Sequence, residues 1–248
     1  MDFYIKDRDK ADRKERKTEV EKTESGVFDK RTLLTLSKLI SNGTIEIVDF
    51  PIASGKESFV FRGESKKGLI AIKIYPISTS IFRNMPRYID GDPRFKKVRR
   101  DTRSIVYAWA KKEYRNLREM KNAGARVPEP IAVKNNVLVM EYLGSRTRPA
   151  PLLKDKNMSK DEACRVYEKI IGYVKKIYHS GLIHGDLSEY NVLMWRGPVL
   201  IDVGQGVSIK HPLAAELLRR DVETIVRFFN RFGVNIDIEK TMEEVTHE

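Results

Sequence analysis

Hydrophobic and polar positions follow two rhythms along this chain, and the changes of rhythm divide it. Over residues 28–43, FDKRTLLTLSKLISNG, apolar residues at 33, 36, 39 and 40 keep a helical spacing, and Asn42-Gly43 supplies a stop. Three short runs follow: TIEIVDFPIAS, SFVFRGE and GLIAIKIY. They are rich in β-branched and aromatic residues, are separated by glycine-containing turns, and predict an antiparallel meander. The helical rhythm returns over 101–124, with Asp101 placed to cap and Gly124 to stop. EPIAVKNNVLVMEYLG predicts a hairpin turning at Asn135-Asn136. A Ser159-x-x-Glu162 capping box opens an amphipathic helix over 159–180, and Pro212 opens another over 211–232. Strands with one helix among them, then helices, make an α+β chain of two lobes. The divisions expected are a charged tail and helical extension (1–44), an N-terminal lobe (45–143) and a C-terminal lobe (144–248).

Composition narrows the class. A chain of 248 residues, 41% hydrophobic, can bury a sizeable core. Its one cysteine, Cys164, excludes an intrachain disulfide and a multi-cysteine zinc site, and favours a reducing compartment. No apolar run approaches the roughly 18 residues of a spanning helix, and the first residues, MDFYIKDRDK, lack a signal-peptide core. The expectation is a cytoplasmic protein with no membrane partner. The net charge of +12 points to a polyanionic partner, though basic balance also serves solubility. That charge is unevenly placed. Residues 6–24 mix eight basic with seven acidic side chains and read as a solvated tail. Residues 83–103 carry eight basic against three acidic, and Pro86, Gly91 and Pro93 break them, as in functional or disordered loops.

The chemistry lies in a few short stretches. LIHGDLSEYN (182–191) sets Asp186 five residues before Asn191, and VLIDVGQG adds Asp202, all beside apolar runs. An unpaired carboxylate there is costly, and a metal ion is one way to offset it. ASGKESFVF (53–61) contains Ser-Gly-Lys but is no Walker loop: Phe50 stands where the first glycine belongs, and a strand pattern follows where a helix is needed. A strand–loop–strand over phosphates, with Gly55 permitting close approach, is the alternative to an ordinary hairpin. AIKIY places Lys73 inside an apolar strand. Either it lies on an edge with its amine in water, or a helix carboxylate holds it for phosphates, with Glu113 the candidate and Glu119 its competitor.

Taken in order, Lys73 in AIK, Glu113 in its helix, MEYL (140–143), HGDLSEYN and IDVGQ resemble a protein-kinase fold. The wording is most similar to the RIO family of atypical kinases, Rio1 subfamily, in GKESFVF, DLSEYN, KKEYRNL and HPLAAELLRRD, over about residues 28–235. Ala53-Ser54 replaces that family's usual Ser-Thr before the glycine, and DVGQ stands where conventional kinases have Asp-Phe-Gly. The resemblance implies an antiparallel sheet plus one helix in the N-lobe. It also implies a reduced helical C-lobe without an activation segment or peptide-docking helices, since 46 residues follow Asp202 and no Ala-Pro-Glu occurs.

The same resemblance implies the roles. ATP is the expected cofactor, with Mg²⁺, or Mn²⁺ in its place. Asp186 orients the attacking hydroxyl and accepts its proton, and Lys73, paired with Glu113, grips the α/β-phosphates. Gly55, Lys56, Glu57, Ser58 and Val60 belong to the hairpin that covers the nucleotide. Ala71 and Leu193 sandwich adenine, and Met140, Glu141 and Leu143 line its edge through the Glu141 and Leu143 backbone. Asn191 and Asp202 are the oxygen ligands of the metal, and His184 shapes the loop. The family is linked to maturation of the small ribosomal subunit, so the implied partners are its precursor and rRNA. Members also act as ATPases, with Asp202 a candidate phosphoacceptor. Two other expectations concern the basic segment. Thr102 or Ser104 is an autophosphorylation target. The 83–103 segment with the adjoining helix face contacts rRNA, with Arg94, Lys96, Lys97, Arg99 and Arg100 on phosphates and Tyr88 and Phe95 stacking on bases. The rival classes are an aminoglycoside-phosphotransferase-type small-molecule kinase, disfavoured by the short basic C-terminal part, and a non-catalytic RNA-binding assembly factor.

Overall fold

The structure, a computed structural model, describes residues 28–55, 57–77, 86–95 and 98–247. Helix α1 (Lys30–Ser41) leads into strands β1 (Ile47–Ser54), β2 (Phe59–Ser65) and β3 (Gly68–Ile74). A short helix α2 (Pro86–Ile89) and a 3₁₀ turn (Pro93–Phe95) precede the long helix α3 (Thr102–Asn122). Strands β4 (Pro130–Lys134) and β5 (Val137–Glu141) then complete a five-stranded sheet. The sheet order is β1-β2-β3-β5-β4 and every neighbour pair is antiparallel. The meander and the hairpin at Asn135-Asn136 are therefore as expected. Pro51, which cannot donate to a ladder, sits at a register shift in the edge strand β1.

β3 is the middle strand, which removes the edge-strand alternative for Lys73. Alternation along β3 sends Ile70, Ile72 and Ile74 to one face, where they pack with Leu36 and Leu39 of α1 and with Phe61, Val137 and Val139. Ala71, Lys73 and the following Tyr75 take the other face, toward α3 and the second lobe. The buried stripe of α1 differs from the expected one. Thr32, Thr35, Leu36 and Leu39 are inside, while Leu33 and Leu34 are 51% and 54% exposed and Ile40 is exposed as well. The cause is polar: Thr32 Oγ1 accepts from Asn136 Nδ2 at 2.8 Å and Thr35 Oγ1 from Asn135 Nδ2 at 2.9 Å. These bonds turn the helix so that its threonines meet the hairpin.

The C-terminal part is built on helix α4 (Lys160–His179), whose Ser159 cap accepts from the Glu162 N–H at 3.3 Å, as the capping box requires. Two small ribbons follow, β6 (Leu182–Ile183) with β9 (Val207–Ser208), and β7 (Val192–Met194) with β8 (Pro198–Leu200). Then come helices α5 (Ala214–Asn230) and α6 (Ile238–Thr246). α5 starts later than Pro212, because His211 holds a turn there: its Nδ1 accepts from Leu213 N–H at 3.1 Å and its carbonyl from Ala214 N–H at 2.9 Å. The main core joins α3, α4, α5 and the ribbons through Leu117, Met120, Ile170, Leu217, Ile225 and Phe229. Among the described residues, no helix is long and apolar enough to cross a membrane.

Candidate active site

Lys73 reaches from the sheet into a group of carboxylates. Its Nζ lies 2.7 and 2.9 Å from the two oxygens of Glu113 on α3 and 2.9 Å from Asp202 Oδ1. Glu113 is the partner and Glu119 is not: Glu119 accepts instead from Arg94 and Arg115, each at 2.6 Å. Burial alone would make the Lys73 ammonium easier to deprotonate, but Asp202 and Glu113 together hold it above the ordinary lysine range. Burial drives Glu113 upward against the pull of Lys73, and Tyr75 Oη donates to the same carboxylate. Asp202 is different. Lys73 keeps it below the usual carboxylate range, and its side chain is 52% exposed, so it is an ionised group facing open space. Its backbone is left-handed, φ 59° and ψ 51°, a conformation that Asp tolerates better than most residues.

Asp186 and Asn191 come from the loop between β6 and β7. Asn191 Nδ2 donates to the Asp186 carbonyl at 2.7 Å and to its Oδ2 at 3.3 Å, so the two residues are held as a unit. Desolvation and the charge of Asp202 push Asp186 up to about 6, while Arg220 and Asn191 restrain it. The loop is hung from a buried carboxylate that sequence reading did not single out. Asp221 on α5 accepts from the Gly185 N–H at 2.7 Å and the Leu187 N–H at 2.8 Å, which flank Asp186. Burial pushes Asp221 up to about 7 against those two donors. The one hint was its position in HPLAAELLRRD, an acid on the inner side of a strongly amphipathic helix. Gly185 has φ +79°, and a Cβ there would lie 2.9 Å from the Gln205 carbonyl, so glycine is needed where the two site loops meet. His184 is buried, and burial lowers it to about 4, which suits a neutral, loop-shaping imidazole beside the Ile201 carbonyl at 3.2 Å.

Behind Asp202 lies a second group that was also missed. Lys112, fully buried on α3, donates to the Gly204 carbonyl at 2.8 Å and to that of Gly206. Asn116 Nδ2 reaches the Val203 and Gly206 carbonyls at 2.7 and 2.9 Å. Arg94 completes the group, bonded to Asp92 at 2.7 Å, to Asn116 Oδ1 at 2.9 Å and to Gly206 O at 3.4 Å. One helix thus grips both Lys73, through Glu113, and the segment after Asp202, through Lys112 and Asn116.

The remaining candidates surround this centre. Gly55 N–H donates to the Ser58 carbonyl at 3.0 Å, closing the β1–β2 hairpin, and Val60 pairs in register with Lys73. Glu57 is exposed on the hairpin, and desolvation beside the site together with the charges of Asp202 and Asp186 holds it above the usual carboxylate range. Lys56 lies outside the described residues. Ala71 is buried opposite Met140 in the β3–β5 register, and Leu193 shares a small apolar cluster with Leu143. The Glu141 carboxylate is bound to Arg126 at 2.8 and 3.0 Å, its N–H is spent on Glu129 O, and the Leu143 carbonyl accepts from Ala150.

The basic segment departs from its expectation. Tyr88 is buried against Trp109, and Phe95 packs on the main core under Arg94, so neither ring is presented to a base. Arg94 is committed to Asp92 and Glu119 and offers nothing to a phosphate. Arg99 and Arg100 are exposed, and Lys96 and Lys97 lie outside the described residues. Ser104 Oγ donates to the cap Asp101 at 2.6 Å, and Thr102 opens α3 in an exposed position.

A five-stranded sheet with one long helix, a lysine–glutamate pair reaching a loop aspartate, and a second aspartate on a facing loop define a kinase-like fold. A RIO domain matches residues 59–242, most of the chain, and the protein belongs to the RIO family, atypical serine/threonine protein kinases. It is 41% identical over 227 residues to the RIO-type serine/threonine-protein kinase Rio1 of Haloferax volcanii, covering 91% of this chain and 78% of that one. It is 41% identical over 186 residues to the protein of the same name in Thermoplasma acidophilum, covering 75% and 98%. Among solved structures it is similar to the Rio2 kinase–ADP/Mg²⁺–phosphoaspartate complex of Chaetomium thermophilum. The TM-score there is 0.67 at 24% identity, over 87% of this chain and 66% of that one.

Proposed function

We propose that the Lys73–Glu113–Asp202 centre binds Mg-ATP and transfers its terminal phosphoryl group, with Asp186 serving the acceptor. The observation that carries this is Lys73 held between a buried carboxylate and a half-exposed one, which fixes a cation where phosphate oxygens would lie. Asp186, pushed up to about 6, is matched to taking a proton from a hydroxyl near neutral pH. The donor set fits a hard divalent ion. Asp202 is ionised, Asn191 spends its Nδ2 on Asp186 and so turns its oxygen elsewhere, and Glu57, Asp186 and Asp202 leave an excess of negative charge. Bound there by Asn191 and Asp202, Mg²⁺ would neutralise phosphate charge. Gly55, Lys56, Glu57, Ser58 and Val60 would cover the phosphates. Adenine would lie between Ala71 and Leu193, beside Met140, with its edge on the Glu141 carbonyl and the Leu143 N–H. The ionised, half-exposed Asp202 is also a nucleophile, which supports ATPase turnover through an acyl phosphate as a second reading, alongside hydroxyl phosphorylation of the chain itself at Thr102 or Ser104. Maturation of the small ribosomal subunit, with its precursor and rRNA as partners, is the cellular role we assign, on the resemblance and the basic charge.

ATP turnover and Mg-nucleotide affinity of two variants test the site. Asp186→Ala should lose turnover and keep nucleotide affinity. Asp202→Ala should lose turnover and weaken Mg²⁺-dependent binding. Normal hydrolysis by Asp202→Ala would end the assignment.

A further inference from the structure

Of the rings expected to stack on RNA bases in the 83–103 segment, Tyr88 is buried in the core and Phe95 is covered by Arg94, but the same combination recurs on α3. Arg103, Tyr107, Lys111, Tyr114 and Arg118 follow one another at spacings of four, four, three and four, which places them along one side of the helix. The inner side is a different set: Trp109, Lys112, Glu113, Asn116 and Met120 are buried. On the outer stripe the cations are exposed and the tyrosines are half-buried, footed on the main core. No acid interrupts the stripe. The cations beside it are neutralised, Arg115 by Glu119 and Lys121 by Glu129, whereas Arg103, Lys111 and Arg118 have no carboxylate at ion-pair distance among the described residues. Asp101 caps the helix through Ser104 and lies beyond ion-pair distance from Arg103, though near enough to feel its charge.

We propose that this outer stripe of α3 is a docking surface for single-stranded RNA. The inference rests on the RNA-partner part of the function proposed above, and not on the phosphoryl-transfer part. From Arg103 to Arg118 the stripe runs about 22 Å, long enough to follow several nucleotides of one strand. Three unpaired cations about two turns apart, with one aromatic ring between each pair, match a strand that alternates anionic phosphates with flat bases. An acidic peptide would use the cations and leave the rings without a partner. Rings fixed at their base by core packing lose little freedom on stacking, which favours a surface already formed over one ordered by its ligand.

The test uses the full chain and a labelled single-stranded RNA of mixed sequence, with affinity measured across a salt series. The stripe variant carries Arg103→Ser, Lys111→Ser and Arg118→Ser together. A charge-matched control carries Lys160→Ser, Arg165→Ser and Lys169→Ser on α4, where Asp161, Glu162 and Glu168 are interspersed. Losing three phosphate contacts should flatten the slope of log affinity against log salt by about two, with the control at the wild-type slope and both variants retaining thermal stability and basal ATP turnover. Tyr107→Leu with Tyr114→Leu should weaken binding and leave the slope unchanged. Equal slopes in the stripe and control variants would overturn the proposal while leaving an RNA partner in place. So would competition by polyglutamate as effective as by unlabelled RNA, which would make the stripe an acidic-peptide surface. A wild-type chain that binds no RNA would overturn both this and the RNA-partner reading, with ATP turnover still testing the site.

Discussion

Lys73 and Lys112 are both buried lysines, one on the sheet and one on the helix that packs against it, and they are held in opposite ways. Lys73 faces two carboxylates, which raise its pKa above the ordinary value despite burial. Lys112 faces carbonyl oxygens, and burial together with the nearby Arg94 lowers it to about 7, although Asp92 and Glu113 pull the other way. Partial charges on carbonyls orient an ammonium but do not repay its desolvation as carboxylates do. The difference separates two duties within one helix. On Glu113, α3 holds a cation that a ligand can share, since Asp202 is half open to solvent. On Lys112 and Asn116, it holds backbone that must not move.

The largest expected effect breaks the comparison in two. Lys73→Met removes the charge that phosphates would meet, and turnover should fall at least about a hundredfold. Lys112→Met keeps the stem and removes the donor to Gly204, leaving that buried carbonyl under-satisfied, while Gly206 keeps Asn116 and Arg94. The expected cost is about 1–3 kcal/mol of stability, with turnover within about tenfold of wild type. Urea unfolding and steady-state hydrolysis on both variants read the contrast. Loss of turnover in Lys112→Met at unchanged stability would show that the two lysines share a duty.

That contrast also marks what the sequence made legible. Periodicity recovered the sheet and the two long helices because both follow from one apolar face per element, and the kinase-like order of Lys73, Glu113, Asp186, Asn191 and Asp202 was legible because each sits in a short stretch of distinctive wording. Lys112, Arg94, Asp92 and Asp221 were not. Each is a charged residue withdrawn from water; Lys112, Arg94 and Asp221 reach partners distant in sequence, Asp92 holds Arg94 in place, and pattern reading assigns such residues to the surface. Tyr88 shows the reverse error: a tyrosine in a proline- and glycine-broken basic run looked exposed, but contact with Trp109 places it inside. α1 was placed correctly and rotated wrongly, because Thr32 and Thr35 face inward for hydrogen bonds rather than for burial of apolar surface. The short helix α6 had no separate signal in that reading.

A middle-sized effect concerns Asp221, the carboxylate counterpart of Lys112 in that it too meets only backbone. Its folded value of about 7 lies above the unfolded value of about 3.9. Between those values the folded chain holds a proton that the unfolded chain has lost, so this group's contribution to stability is present at low pH and is lost as pH rises through about 7. His184, lowered to about 4, acts oppositely over the acidic part of the range, so the wild-type profile is a partial cancellation. Asp221→Asn isolates the term. It should be less stable at acid pH, where one of the two N–H bonds to the loop is lost. Relative to wild type it should then recover as pH rises from about 4 to about 7, by on the order of 1–3 kcal/mol. Parallel unfolding midpoints for the two proteins across that range would show that Asp221 stays ionised throughout and that its two donors outweigh burial.

The smallest effect sharpens the distinction on the open side of the site. Arg220 Nη2 lies 3.9 Å from Asp186 Oδ1 and also donates to the Gly185 carbonyl. Its charge restrains an Asp186 that desolvation and Asp202 push up to about 6. Asp186 must be ionised to accept a proton, so kcat/KM should fall as pH drops through about 6, and the acid limb reports the free enzyme. Arg220→Gln keeps a donor for Gly185 and removes the charge, so the limb should move upward. Both side chains are more than a third exposed, and solvent screening limits the move to about half a pH unit. Arg220→Lys should restore the wild-type limb, and raised salt should shrink the difference between Arg220→Gln and wild type, since an exposed pair is screened where the buried Lys73 group is not. A limb that stays put in Arg220→Gln at low salt would mean that Asp202 and burial alone set Asp186. The electrostatics of the open side would then be governed, like those of Lys112, by the buried framework rather than by a residue at its rim.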